Sequence, residues 1–426
     1  MRSGCRAPWS PVRPRTSCCS TATARCIASC AAGAGCDDAQ IPDHDVVLFG
    51  ATGYTGALTA EYLAAHAGEQ TRWALAGRNL AKLEALRERL GADVPLLKAD
   101  VTEADSVRAV AESARVVITT VGPYVRYGEP LVAACAEAGT DCVDLTGEPE
   151  FVDLMYVRHH ARAAETGARL VHACGFDSIP HDLGALFTVE QLPEGVPLRV
   201  EAFVRVGGSP SGGTVHSAIT AFSRVRQTQR AHRDRRAAEA RPDDGRRVSA
   251  VRPTPRREPA VGAWVLPMPT IDPQIVARSA RALERYGPDF SYGHFLAVKR
   301  APVAAGLVAG VAGIFTAAQI PPARKLLLGR ISPGDGPTPE QRAKGWFKVR
   351  FVGEGGGARV VTEVTGGDPG YGETSKMLAE SALCLAHDDL PPSAGQVTTA
   401  VAMGDALIER LRRAGISFEV LERGDA

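Results

Sequence analysis

Seven residues, Gly50-Ala51-Thr52-Gly53-Tyr54-Thr55-Gly56, separate the apolar run Asp45-Val46-Val47-Leu48-Phe49 from a helical stretch ending near His66. A strand, a glycine turn and a helix in that order can cradle a pyrophosphate. Glycine tolerates positive φ and lets a phosphate reach the backbone, while free N–H groups at the helix start face the anion. The spacing G-x-x-G-x-x-G serves dinucleotide sites alongside the commoner G-x-G-x-x-G. Gly50, Thr52, Gly53, Tyr54, Thr55 and Gly56 are therefore the first candidate cofactor residues.

A second strand, Arg72-Trp73-Ala74-Leu75-Ala76, ends in Gly77-Arg78-Asn79. A carboxylate at such a tip favours NAD, and an arginine accommodates the 2′-phosphate of NADP. Arg78 stands there, with no acid beside it and Lys82 one turn on, so the sequence predicts NADP(H). Asp100, at the end of a third strand over 94–99, is placed to meet the adenine amino group. A fourth strand over 115–121 runs into Gly122-Pro123-Tyr124, a loop expected to pass beneath the cofactor toward its nicotinamide. Gly122 and Pro123 keep that backbone low, and Tyr124 and Tyr127 reach toward the reacting end, either packing on the ring or donating a proton.

The elements that must position these residues follow from periodicity. Strand and helix alternate about six times from Asp45 to Leu183, which argues a doubly wound parallel Rossmann sheet. Leu80, Leu83, Leu86 and Leu90 mark one helix face, closed by Gly91. Thr102-x-x-Asp105 reads as a variant capping box. A helix over 129–138, a strand over 141–145, the turn Thr146-Gly147-Glu148 and a strand over 169–174 complete this half.

Past Leu192 longer strands appear over 200–206, 290–299, 346–354 and 358–365, the last two joined by Gly355-Gly356-Gly357 as a hairpin. They argue an α+β domain on a mostly antiparallel sheet. The domains are read as a disordered or mis-started extension over 1–44, an NADP-binding Rossmann domain over 45–190, a substrate domain over 191–369, and C-terminal helices over 370–426 that return to the first domain. The last of these helices is read over 397–414. His216 and Ser217, in a helix expected over 214–222, are candidate substrate contacts.

Lys+Arg 49 against Asp+Glu 48 gives no pull toward nucleic acid. Arg224 to Arg257 is arginine-rich but carries acids and lacks stacking aromatics, so it reads as a solvated helix and loop. Six of the ten cysteines precede residue 37, and Cys26, Cys30 and Cys36 match no common zinc spacing, so no metal site is read. The scattered remainder suggests a reducing, cytoplasmic setting. Ala301 to Ile320 holds no charge and lies between Lys299-Arg300 and Arg324-Lys325. It reads as a buried or membrane-surface helix, with Gly306, Gly310 and Gly313 available for tight packing.

Gly50 to Gly56, Ala76-Gly77-Arg78, Val121-Gly122-Pro123-Tyr124, Asp144-Leu145-Thr146-Gly147-Glu148 and Cys174-Gly175-Phe176-Asp177-Ser178-Ile179-Pro180 together resemble the saccharopine dehydrogenase family. The resemblance is strongest to its actinobacterial branch of trans-acting enoyl reductases and runs from Asp45 to the C-terminus. It implies NADPH-dependent reduction of the C=C bond of an enoyl thioester in polyketide or complex lipid biosynthesis, with the acyl group held on a separate synthase. Hydride addition at the β-carbon then calls for donors at the thioester oxygen, for which backbone N–H groups around Gly122 or Gly175 are candidates. It also calls for an acid at the α-carbon, and Tyr124, Tyr127, Asp177 and His181 are the candidates. Asp177 could equally cap the following helix. A short-chain dehydrogenase, which shares the glycine spacing, is disfavoured because no tyrosine here is followed by lysine at the fourth position. The alternatives are a saccharopine-type amino-acid oxidoreductase and a non-catalytic NADP-binding protein at a lipid surface. Peripheral membrane contact through 301–320 and a homodimer are both compatible with the sequence.

Overall fold

Buried apolar runs build the first sheet. The computed structural model describes residues 41–207, 219, 222–239, 245–329 and 337–425. The strands are β1 (His44–Phe49), β2 (Trp73–Gly77), β3 (Leu96–Lys98), β4 (Ala114–Thr119), β5 (Asp141–Asp144) and β6 (Arg169–Val171). They lie in the order β6-β5-β4-β1-β2-β3, all parallel. Val46, Val47, Leu48 and Phe49 are all buried, as expected of a strand covered by helices on both faces. β1 sits at the centre with Val47 opposite both Ala74 and Val117. The order reverses beside β1, and dinucleotides bind at such a switch point. The extension expected over 1–44 lies outside the described residues up to 40, and β1 already includes His44.

The second sheet holds eight strands. They include β7 (Leu198–Gly207), β8 (Arg247–Ala250), β9 (Arg256–Glu258), β10 (Ala263–Pro267), β11 (Asp289–Val298), β12 (Trp346–Gly355) and β13 (Ala358–Gly366). Most of its pairings are antiparallel, but β11 pairs in parallel with both β7 and β8. Gly355 pairs with Ala358, so the β12–β13 hairpin turns on two residues, Gly356 and Gly357. Their φ values of 58° and 80° explain why both are glycine. β8, β9 and β10 are short, and neither they nor the helix Asp272–Ala282 stood out in the sequence pattern.

The chain then returns to both sheets. Helix Gly372–His387 packs against helix Tyr54–His66, where the Tyr62 hydroxyl donates to Glu380 at 2.7 Å. β14 (Gly395–Val397) extends the first sheet beside β6, and β15 (Ser417–Asp425) extends the second beside β13. The single helix expected over 397–414 is therefore two, Thr399–Ala402 and Gly404–Arg413, with Gly404 at φ 44° between them.

The helix of the arginine-rich segment is solvated on one face and buried on the other, and residues 240–244 of the expected loop lie outside the described residues. Helix Val225–Ala238 packs on helix Pro149–Thr166. Its Arg235 is 1% exposed, with Nε 2.6 Å from Asp153 and Nη1 2.5 Å from Glu239. Arg224 holds Glu150 through two 2.7 Å bonds. A periodic reading misses this because an arginine looks the same in sequence whether it meets water or a buried carboxylate.

Candidate active site

The glycine turn has little room for anything but glycine at its ends. Gly50 has φ +88°, and a Cβ on Gly56 would stand 2.3 Å from the Gly50 carbonyl oxygen. The helix from Tyr54 starts at Gly53 with no side-chain cap. Its first N–H groups and its positive dipole end are therefore available to an anion. Thr52 and Gly53 are exposed at the mouth of the turn, and Thr55 is half-buried behind them. Tyr54 serves the fold as well: its hydroxyl donates to the Pro337 carbonyl at 2.6 Å and accepts from Arg342. Its ring meets Tyr371 edge-on at 4.7 Å.

Arg78 is exposed just beyond β2, whose own residues are all buried. Asn79 caps the helix that follows, accepting from the Lys82 N–H at 3.1 Å. Leu80, expected on the apolar face, is 40% exposed, and Leu83 and Leu86 carry the packing. Asp100 lies near enough to feel the charge of Arg78. One of its oxygens accepts from the Thr102 N–H and hydroxyl at 3.0 and 2.8 Å, holding its carboxyl below the usual range. The capping box read at Thr102 does not form: Glu103 is the N-cap, and Thr102 is occupied by Asp100. The open cradle, the uncapped helix start and the exposed Arg78 beside an acid-poor strand tip together fit NADP(H).

Gly122 and Pro123 form the expected loop, with a cis peptide between them. Tyr124 opens the one-turn helix Tyr124–Tyr127, but it is 5% exposed and its hydroxyl donates to the Thr119 carbonyl at 3.0 Å. Burial pushes that phenol far above its ordinary range. Tyr124 therefore braces the loop, its hydroxyl engaged by Thr119. Tyr127 is exposed, with the Arg126 guanidinium over its ring. Glu148 fixes the same loop, since its two oxygens accept from the N–H groups of Tyr124 at 3.1 Å and Val125 at 2.9 Å. The Val121 N–H is taken by Thr119. Pro123 has no N–H, so Gly122 keeps the one unpaired donor of this loop among the described residues.

A buried carboxylate organises the next loop. Asp144 accepts from the N–H groups of Thr146 and Ala173 at 3.0 Å each, and its second oxygen lies 2.5 Å from His172 Nδ1. These bonds hold Ala173 at φ 62°, a left-handed conformation costly for a residue with a Cβ. Around Gly175 the N–H groups of Cys174, Phe176, Ser178 and Ile179 already bond to Asp144, Thr374, Gly175 and Gly175. The N–H groups of Gly175 and Asp177 are not among these bonded donors, so the donors expected around Gly175 stay available.

Asp177 is half-buried in this loop, close against Gly147: a Cβ on Gly147 would be 2.7 Å from its Oδ2. Gly147 adjoins Glu148, so Asp177 borders the same turn that grips the Gly122–Val125 loop. Burial and the nearby Asp272 charge, opposed by His181, push its carboxyl up to about 6. Ser178, not Asp177, is the N-cap of helix Ile179–Val189, and no side-chain cap bond forms there. His181, by contrast, is 1% exposed, with Nδ1 3.0 Å from Asp272 Oδ1; His294 Nε2 lies 3.4 Å from Asp272 Oδ2. Desolvation opposes ionisation of Asp272, yet the two imidazoles together hold its carboxyl well below the usual range. The donor atoms of the three lie within 4.8 Å of one another. Burial pushes the His294 imidazole below its ordinary range, and both His181 nitrogens, Asp272 Oδ1 and His294 Nε2 are buried without a hydrogen-bond partner. His181 is thus buried against Asp272, with its ring edge-on to Phe176 at 5.3 Å. His216 and Ser217 lie outside the described residues.

Sequence reasoning passed over Glu148, Asp144, Asp272 and His294. Asp144 and Glu148 were visible as acids at a strand end and in a turn; Asp272 and His294 carry no local signal because only packing brings them to residue 181.

The NADP-binding domain of saccharopine dehydrogenase matches residues 46–171. A Mycobacterium tuberculosis protein provisionally named a trans-acting enoyl reductase is 39% identical over 408 residues, 88% of this chain and 97% of its own. A trans-acting enoyl reductase of the same organism is 37% identical over 415 residues, again covering 88% and 97%. The apo saccharopine dehydrogenase (L-Glu forming) of Saccharomyces cerevisiae shares the fold, with TM-score 0.50 and 14% identity over 90% of this chain and all of the other.

Proposed function

Because this chain belongs to the saccharopine dehydrogenase family, in its branch of trans-acting enoyl reductases, we propose that it is an NADPH-dependent reductase of the C=C bond of an enoyl thioester, acting in trans on the acyl chain of a polyketide or lipid synthase. The observation that carries this reading is the end-to-end identity with relatives bearing that name. The site supports it. NADPH, when bound, supplies a hydride to the β-carbon. The uncapped start of helix Tyr54–His66 takes the pyrophosphate, and Arg78 takes the 2′-phosphate. Reduction builds negative charge on the thioester oxygen, and the Gly122 N–H is the donor the loop leaves free for it.

The α-carbon needs a proton. Tyr124 is buried and engaged, and His181 is buried against Asp272. Asp177 is half-buried, with a carboxyl raised to about 6, so a useful fraction stays protonated near neutral pH. It is the acid of this reading, and proton delivery by a positioned group is worth roughly 10²–10⁴ in rate. The test is NADPH oxidation with synthetic enoyl thioesters, free and carrier-bound, with the product checked for the reduced C=C bond. No turnover at any chain length would reject the reading.

A further inference from the structure

Among the described residues, helix Ala301–Gln319 is long, apolar and largely exposed. Its most apolar window has mean hydropathy 1.8, yet only 11% of that window is buried. Val303, Leu307, Val308, Val311, Ile314 and Phe315 are all exposed, between 40% and 53%. At about 100° per residue these six fall within an arc of roughly 140°. Gly306, Gly310 and Gly313 lie on the other side, and a Cβ on any of them would meet nothing within 4 Å. The tight packing those glycines suggested does not occur; of this helix only Ala304 and Ala318 are buried, and Phe315 meets the Phe222 ring edge-on at 5.6 Å. Monomers rarely leave so continuous an apolar surface to water.

Length alone would permit a span, since a helix of this size is about 28 Å long against a hydrocarbon core of about 30 Å. Connectivity excludes it. The chain leaves β11 at Val298, enters the helix, and rejoins the same sheet at β12 from Trp346. A helix that crossed would have to bring back a segment carrying Arg324, Lys325, Arg342 and Lys344, which is too charged to recross hydrocarbon. Both ends of the helix therefore stay on one side. Both are also basic, with Lys299-Arg300 before it and Arg324-Lys325 after it.

We propose that this helix is a one-sided membrane anchor that lies in an anionic lipid bilayer with its Val303-to-Phe315 face immersed and its basic ends on the headgroups. The chemistry is complementary at both levels: a wide apolar face for acyl chains, and cations at each end for lipid phosphates. A protein groove would cover the large-residue face alone, whereas the Ala/Gly side of the helix is also exposed and also uncharged. Further along the chain, Pro337 and Arg342 meet Tyr54 of the cofactor turn. This inference does not depend on the reaction assigned above.

The test is flotation of the purified full chain with vesicles of phosphatidylcholine alone and of phosphatidylcholine mixed with phosphatidylglycerol, alongside light scattering without lipid. The wild type is expected to float with the anionic vesicles and several-fold less with neutral ones. Val311→Asp/Phe315→Asp should abolish flotation while NADPH binding stays as in the wild type and the melting temperature moves little, since Val311 is exposed and Phe315 is 42% exposed beside the Phe222 ring. Lys299→Glu/Arg300→Glu should lower the anionic preference. A wild type that stays with neither vesicle overturns the proposal, as does flotation unaffected by Val311→Asp/Phe315→Asp. A dimer that this double variant dissociates, without flotation, would assign the face to a second copy of the chain and overturn it too.

Discussion

Glu148 holds Tyr124 by its backbone, accepting the Tyr124 N–H at 3.1 Å on one oxygen and the neighbouring Val125 N–H at 2.9 Å on the other. The carboxylate is buried, and burial raises it above the usual range despite these two bonds. It caps a one-turn helix that no side chain of its own caps, and so fixes the height of the Gly122–Pro123 backbone. Two donors bonded to one carboxylate leave two orphans when it is removed. Glu148→Ala is expected to lower stability by about 1–3 kcal/mol and to weaken NADPH binding. Urea unfolding and cofactor titration read the two effects, and Glu148→Gln should recover part of each.

In the proposed reaction Asp177 sets the pH dependence. Its acid form is the reactive one, and it is lost as pH rises through about 6. kcat/KM is therefore expected to fall above that pH. Asp177→Asn should lower the rate by roughly 10²–10⁴ and remove that descending limb. Stability should move the opposite way from a salt-bridged acid. A carboxyl raised from 3.8 to about 6 binds its proton more tightly when folded. Its contribution is thus most favourable at low pH and declines as pH rises through that interval. The decline is bounded at about 3 kcal/mol and reduced by the water that reaches a half-buried group. Unfolding curves of the wild type and Asp177→Asn across that interval measure the difference.

Arg78 sets cofactor choice. Arg78→Ala should raise the Kd for NADPH by roughly 10- to 100-fold, the range of a charge-assisted contact, and leave NADH nearly unchanged. Equal losses for both would remove the 2′-phosphate from its role. Because Arg78 is exposed, the melting temperature should not move.

Arg235 and Asp153 are a stability pair away from the chemistry. Both are essentially buried, 2.6 Å apart. Arg235→Ala strands a buried carboxylate and is expected to cost about 3–5 kcal/mol, with NADPH affinity in the surviving folded fraction unaltered. Chemical denaturation measures the loss.

Much of the first half was legible because its signals are local. A parallel strand covered on both faces must be apolar along its length, as Val46 to Phe49 are. A turn at φ +88° whose far end has no room for a Cβ must use glycine at Gly50 and Gly56. Arg78 could be placed by counting from that turn, and the same motifs carried the family. What the sequence reading lacked was the surroundings. Tyr124 carries the phenol an acid would need, and only the fold shows it buried and bonded to Thr119. Arg235 has the composition of a solvated helix and the surroundings of a core.

The sequence by itself thus determined the dinucleotide sheet, the NADP-type strand tip and the family, since each depends on residue type at short spacing. Only the tertiary structure decided which buried carboxylates and imidazoles come together. Asp177, His181, Asp272 and His294 become neighbours through the packing of helices Ile179–Val189 and Asp272–Ala282 against β11. It also decided that most of the apolar surface of helix Ala301–Gln319 stays outside the core. An uncharged run carries the same letters whether protein, water or lipid surrounds it, and the connection from β11 to β12 is what fixes that this one ends where it began.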